Sequence, residues 1–237
     1  MRLSGLPFIA QWRSSRPGDK RFLLLVPLTG LATGLAAVAL VRLVGAVQKL
    51  FWGGGRDLLQ FAEAASPLHR VLALAIGGIL VGLIVLVSRQ PVRGHGTAGI
   101  IEAVARHRGF ISMRRTLTKE GATLITVGSG GSLGREGPLM RVGAALGSLL
   151  GRRFHLTGNR LNILVGCGTA AGIAAAYNAP IGGAMFALEV VLGNFALESF
   201  GPIVVASAIG TIVSRGLLGN YRAYSPPSFD TLVSPWE

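Results

Sequence analysis

The fold class this sequence predicts is an all-α, polytopic membrane bundle with short, tilted and broken helices. Three observations lead there. Half of the 237 residues are hydrophobic and only 14% are charged, against about 25% charged in an average soluble domain. The charges also cluster between long uncharged runs, Phe22–Val41, Val71–Ser88, Leu161–Leu188 and Ser199–Ser214. Apolar runs of roughly 18 residues or more read as membrane-spanning helices, and shorter ones as re-entrant or tilted pieces. Finally, the 35 glycines alternate with Leu, Val, Ala and Ile and recur at spacing four: Gly30/Gly34, Gly78/Gly82, Gly143/Gly147/Gly151 and Gly168/Gly172. Small residues at that spacing let helix backbones approach closely in lipid, where packing drives association. No Gly-X-Y period is present, which removes collagen, and the apolar interleaving removes disorder. A lone cysteine, Cys167, excludes a disulfide framework and a multi-cysteine metal site.

The formal net charge of +13 would suit nucleic acid if it formed a patch. Its placement follows membrane topology instead, so no nucleic-acid partner is expected. Residues 1–21 carry Arg2, Arg13, Arg16, Lys20 and Arg21 against Asp19, and residues 89–119 carry seven bases against Glu102. The intervening 48–70 connection is nearly balanced. By the positive-inside rule the N-terminus and the 89–119 segment are cytoplasmic and 48–70 lies outside. Trp12, Phe51 and Trp52 flank the first span as interfacial aromatics. That span is too long and begins too late for a cleavable signal. The expected organisation is a basic cytoplasmic segment at 1–21, a membrane domain at 22–218 and a polar loop or tail at 219–237.

Taken in order, the first span covers about 22–47 and continues past Arg42, which either snorkels or faces a polar seam. A second covers about 70–89 and ends before Pro91. Thereafter helical segments at 97–107, 114–132, 136–152, 159–176, 180–194 and 198–217 alternate with Gly- and Pro-rich breaks such as Gly128-Ser129-Gly130-Gly131 and Asn178-Ala179-Pro180. Non-helical backbone at membrane depth is tolerated only where protein buries it or it lines a cavity. The breaks therefore point to the place where a permeant would bind.

One break, Gly134-Arg135-Glu136-Gly137-Pro138, stands at the start of a helix, with Pro138 suited to its first turn. A helix N-terminus offers unpaired N–H groups and partial positive charge to an anion. Glu136 can occupy that anion position itself and close it. The bland alternative is a helix-capping glutamate, but acids inside membrane segments are costly and usually functional. Gly94-His95-Gly96-Thr97-Ala98-Gly99 opens another helix. It fits the G-x-G-x-x-G spacing, yet a membrane span precedes it where a dinucleotide site needs a strand. A second helix N-terminus aimed at a buried anion is the more economical reading. His95 either donates to that anion or caps the helix. Glu189 is either a buried functional acid or an interfacial acid paired with a base such as Arg215. Cys167, Tyr177 and Met185 read as packing residues; His69, His107 and His155 fall in connections without metal spacing. No enzyme motif is present, and no cofactor is expected.

These residues carry a family resemblance. The stretch Gly94–Gly219 resembles the CLC family of chloride channels and chloride/proton exchangers. Gly134–Pro138 matches that family's Gly-Arg/Lys-Glu-Gly-Pro motif, and Gly94-His95-Gly96 stands where the family has Gly-Ser-Gly-Ile/Val-Pro. Ala170-Ala171-Gly172, Asn178-Ala179-Pro180 and Phe186-Ala187-Leu188-Glu189 follow in the family's order. The resemblance implies the first inverted-repeat half of a CLC-type fold, a homodimer, and an anion pathway in each subunit. Glu136 would be the gating glutamate; Gly94, His95, Gly96 and Thr97, with Gly134, Arg135, Gly137 and Pro138, would surround the anion. His95 replaces the usual serine and Ala98 the motif proline, so the resemblance does not carry over the family's central-site chemistry or anion preference. Val190 stands at the position of the exchangers' second glutamate, which leans towards a channel. Counterparts of the second half's Gly-X-Phe-X-Pro stretch and tyrosine are missing.

The expected function is thus transport of chloride or another small anion across a bacterial-type plasma (inner) membrane by a multi-pass protein resembling voltage-gated chloride channels. The alternatives are a proton-coupled chloride or fluoride exchanger, and a non-conducting fragment that needs a second, C-terminal half. Expected partners are the anion, membrane lipid and a second copy of the chain.

Overall fold

A computed structural model of the chain describes residues 17–53, 65–88, 96–134 and 136–219, and all regular structure within them is helical. The elements are α1 (Pro17–Trp52), α2 (Pro67–Ser88), α3 (Thr97–Arg106), α4 (Met113–Gly128), α5 (Glu136–Arg153), α6 (Asn159–Tyr177), α7 (Pro180–Phe186) and α8 (Leu197–Leu218). A turn of π-helix, Ala187–Leu192, continues α7. Three of the described helices are long and apolar enough to cross a membrane, over Lys20–Trp52, Pro67–Ser88 and Leu197–Leu218.

The bundle is organised around α6, in which every residue from Leu161 to Ala174 except Asn162 is buried. A helix that is apolar all round belongs inside, and α1, α5, α7 and α8 all pack on it. Its contact with α5 is backbone on backbone. A Cβ on Gly143 would overlap the Gly168 carbonyl, and one on Gly168 would overlap the Gly143 carbonyl. Gly147 and Gly172 sit as tightly on the Leu164 and Leu139 carbonyls. The pair α1–α8 repeats the device, with the Cβ position of Gly30 2.5 Å from the Ala206 oxygen and that of Gly34 2.9 Å from the Gly210 oxygen.

The outer helix α2 buries only Ala73 and Gly77 among its described residues. Its expected small-residue pair, Gly78/Gly82, touches nothing within 4 Å. The neighbouring Gly77 makes the contact instead, against Ser129. Spacing identifies a face that permits close approach but not the side on which a partner stands.

Several boundaries and placements differ from the sequence reading. The first helix begins at Pro17 rather than 22, and at ~1.5 Å per residue its 36 residues are longer than the ~30 Å hydrocarbon thickness. Arg42 lies on the exposed face, in the manner of a snorkelling residue. Helix α4 stops at Gly128, short of 132. Gly130 (φ +106°) donates to Val127 O at 3.2 Å and Gly131 to Thr126 O at 2.8 Å, a Schellman termination. His69 is in the first turn of α2, not in a connection. Cys167 is fully buried, whereas Tyr177 and Met185 are 41% and 40% exposed and do not pack in the core. Between α6 and α7, Asn178 takes the left-handed conformation (φ 57°) and Pro180 opens the next helix. This break keeps the 28-residue uncharged run from being one span.

Candidate functional site

The first turn of α5 starts beyond Gly134, whose φ of +73° favours glycine. Pro138 falls in that turn, where a missing N–H costs nothing, and is buried. Leu139 and Met140 then anchor the turn on two sides. Leu139 packs with Ala37, Leu40 and Val44 of α1. Met140 shares a cluster with Ile100 of α3, and this contact brings the two helix starts together. Helix α3 begins at Thr97 after Gly96, which has φ +64°. A Cβ on Gly137 would stand 3.9 Å from the Gly96 Cα.

Two helix N-termini therefore lie side by side, close enough that a methyl group at Gly137 would just touch Gly96. Each leaves its first N–H groups without intrahelical partners and carries partial positive charge. No side chain caps α3, and its first turn has no acid. The first turn of α5 has one acid, Glu136. Half-buried, it folds its carboxylate back over Gly134, where a Cβ would come 2.5 Å from Oε2. Unpartnered N–H groups at a helix start are of the kind that can accept an anion, and the Glu136 carboxylate lies close to them.

Of the predicted site residues, Gly96, Gly137 and Glu136 lie together with Gly134 and Pro138, and Thr97 is the first residue of α3. Gly94, His95 and Arg135 lie outside the described residues, as does Trp12. Glu189 is exposed on the π-helical turn. Neither described ion pair involves it, so the expected pairing with Arg215 is not found among the described residues.

The supporting roles of several residues were not read from the sequence. Trp52, at the end of α1, donates from Nε1 to the Gly128 carbonyl at 3.0 Å. This satisfies one of the orphan carbonyls ending α4, directly before the loop that leads to Glu136. His69 leans on the Trp52 ring, with centroids 5.6 Å apart, and donates from Nε2 to Phe51 O at 2.9 Å. Across α4 and α5, Glu120 and Arg141 form an ion pair at 3.0 Å with side chains only 4% and 13% exposed. Ser148 of α5 donates to Gly109 O at 2.7 Å and accepts from Ile111 N–H at 2.9 Å. It fastens the α3–α4 turn. A signal existed for one member of the ion pair, since Arg141 is the one charged residue in the stretch 137–151, whereas Glu120 adjoins Lys119.

The family model for voltage-gated chloride channels matches residues 77–237, a stretch that includes both helix starts. The chain belongs to the voltage-gated chloride channel family. It is 36% identical over 219 residues to a ClcB-like chloride channel protein from Ralstonia nicotianae, covering 91% of this chain and 51% of that protein. To the voltage-gated ClC-type chloride channel ClcB of Salmonella typhi it is 32% identical, covering 84% and 48%. Among solved structures, a slow cyanobacterial Cl−/H+ antiporter superposes with TM-score 0.69 at 25% identity, covering 94% of this chain and 52% of that one. A eukaryotic CLC transporter gives 0.61 at 20% identity, a likeness of fold. The chain spans about half the length of the curated relatives it matches. Family membership and the long apolar helices make it a multi-pass membrane protein.

Proposed function

We propose that this CLC-family chain provides half of a chloride pathway in which the N-termini of α3 and α5 hold the anion and Glu136 gates it. The observation that carries the reading is the approach of Gly96 to Gly137, with the Glu136 carboxylate folded back beside them. Ionised, Glu136 competes with the anion for the N–H groups; protonated, it withdraws. The family motifs assign Gly94, His95, Thr97, Gly134, Arg135 and Pro138 to the same site. No paired cation is needed, because the two helix ends together supply the positive potential. The N-terminus faces the cytoplasm of a plasma (inner) membrane, as the bases of 1–21 and 89–119 indicate. A second copy forms the dimer. A C-terminal half, equivalent to the remainder of the relatives, closes the pathway.

A proton-coupled exchanger is the second reading, favoured by the likeness to a structure described as a Cl−/H+ antiporter. The valine at 190, in place of a second acid after Glu189, weighs against it.

The test is chloride efflux from liposomes containing the chain, beside Glu136→Ala, with an external pH electrode. Efflux that changes in Glu136→Ala is the expected result; accompanying proton movement selects the exchanger, and its absence the channel. Efflux identical in both proteins overturns the gate. No efflux from correctly inserted protein overturns conduction by this chain alone and requires the second half.

A further inference from the structure

A cavity of about 410 Å³ lies between α3, the α3–α4 turn, α4 and α5. Gly96, Gly99, Ala103 and His107 line it from one face of α3, so it starts at the proposed anion site and runs the length of that helix. Its floor includes the buried Ile100, Ala103 and Thr116, while His107, Phe110 and Arg115 at the far end are exposed. It therefore leads from the helix N-termini to the side of the bundle that carries the 106–115 bases.

Three bases line this space, Arg115, Lys119 and Arg141, and two acids stand with them: Glu102 in the lining, 3.9 Å from His107, and Glu120, paired with Arg141 at 3.0 Å. Arg141 is the unusual member because its side chain is only 13% exposed. Exposed charge runs are commonly just a solvated face, but a buried guanidinium is not. It lies four residues beyond Gly137, on the same face of α5. The surface that meets Gly96 thus continues into the cavity as a cation. Glu120 pairs with Nη1 of Arg141 at 3.0 Å. A guanidinium has five N–H donors, which leaves some for a second acceptor on the cavity side.

We propose that this cavity is a second anion-binding station, in which Arg141, with Arg115 and Lys119, holds a monovalent halide on its way to or from the helix N-termini. The proposal rests on the anion-pathway reading above and adds Arg141 as a binding residue, with Glu120 positioning it. Here the anion is met by side-chain cations, whereas at Gly96 and Gly137 it meets backbone N–H groups.

Anomalous diffraction from crystals of the chain grown in lipid with bromide replacing chloride tests both places separately. The proteins compared are the unaltered chain, Arg115→Gln and the double variant Glu120→Gln/Arg141→Gln. The double variant avoids leaving a buried charge unpaired, and Arg115 is exposed, so its replacement spares the core. Expected is a bromide peak in the cavity beside one at the helix N-termini. The cavity peak should disappear in the double variant. It should need roughly threefold more bromide in Arg115→Gln, the Coulomb factor for one unit charge about 6 Å away in water. The helix-end peak should persist in both variants. A helix-end peak without a cavity peak, or a cavity peak indifferent to both variants, overturns the station and leaves the pathway reading intact. Absence of bromide from both places overturns both.

Discussion

Replacing Gly143 by alanine should strike the α5–α6 contact that holds the start of α5 in place. The added Cβ would overlap the Gly168 carbonyl oxygen and come within 2.8 Å of both the Gly168 carbonyl carbon and Thr33 Cγ2. Real Cβ contacts essentially never fall below 3.0 Å. Backbone cannot rotate away as a side chain can, so α5 and α6 must separate. Even a 0.5–1 Å gap forfeits about a quarter to a half of each dispersion contact along a seam. Overpacking of this kind typically costs ~1–3 kcal/mol, sometimes more, while alanine returns up to ~1 kcal/mol of helix propensity. With backbone as the obstacle on both helices, the net expectation is about 2 kcal/mol of destabilisation. The control is Gly78→Ala, which meets nothing within 4 Å and should be neutral or stabilising by up to ~1 kcal/mol. Reversible unfolding in mixed detergent micelles, followed by helicity, measures both. If Gly143→Ala unfolds at the same denaturant fraction as Gly78→Ala, close backbone packing does not hold these helices together.

Three further outcomes are expected. Glu120→Ala strands Arg141 and should cost about 3–5 kcal/mol, whereas Glu120→Met/Arg141→Leu should recover most of it; a double-mutant cycle by the same unfolding assay reads the coupling. Ser148→Ala leaves the Ile111 N–H and Gly109 carbonyl without their hydroxyl partner, at about 1–3 kcal/mol, and should accelerate proteolysis in the α3–α4 turn. Trp52→Phe keeps an aromatic ring but loses the bond to the Gly128 carbonyl, at about 1 kcal/mol; hydrogen exchange should speed up at the Gly130 and Gly131 amides.

Most helices could be read from the sequence because glycine and proline act locally. Pro180 and the left-handed Asn178 divide the long uncharged run wherever the chain folds, and Gly130 ends α4 by a backbone rule. The extension of α1 back to Pro17 also had a local signal, a proline at the first helical position with Asp19 in the first turn. The positions of neighbours were not readable. Gly77, rather than Gly78 and Gly82, meets α4 because the position of a partner around a helix depends on tertiary packing. For the same reason Tyr177 and Met185, apolar by type, lie on the exposed surface. At the candidate site, the motif glycines located both helix starts. Their convergence depends on Ile100 meeting Met140 across 40 positions of chain, and the Glu120–Arg141 pair depends on the α4–α5 packing. Sequence supplied those residues but not their pairing.

The central claim is that two helix N-termini form an anion site for which Glu136 competes. Chloride titrated calorimetrically into chloride-free protein in detergent, for the unaltered chain and for Glu136→Ala, tests it most directly. The account predicts chloride binding by both at neutral pH, and tighter binding once the carboxylate is gone. Equal affinities would contradict the competition, and no binding by either protein would contradict the site itself.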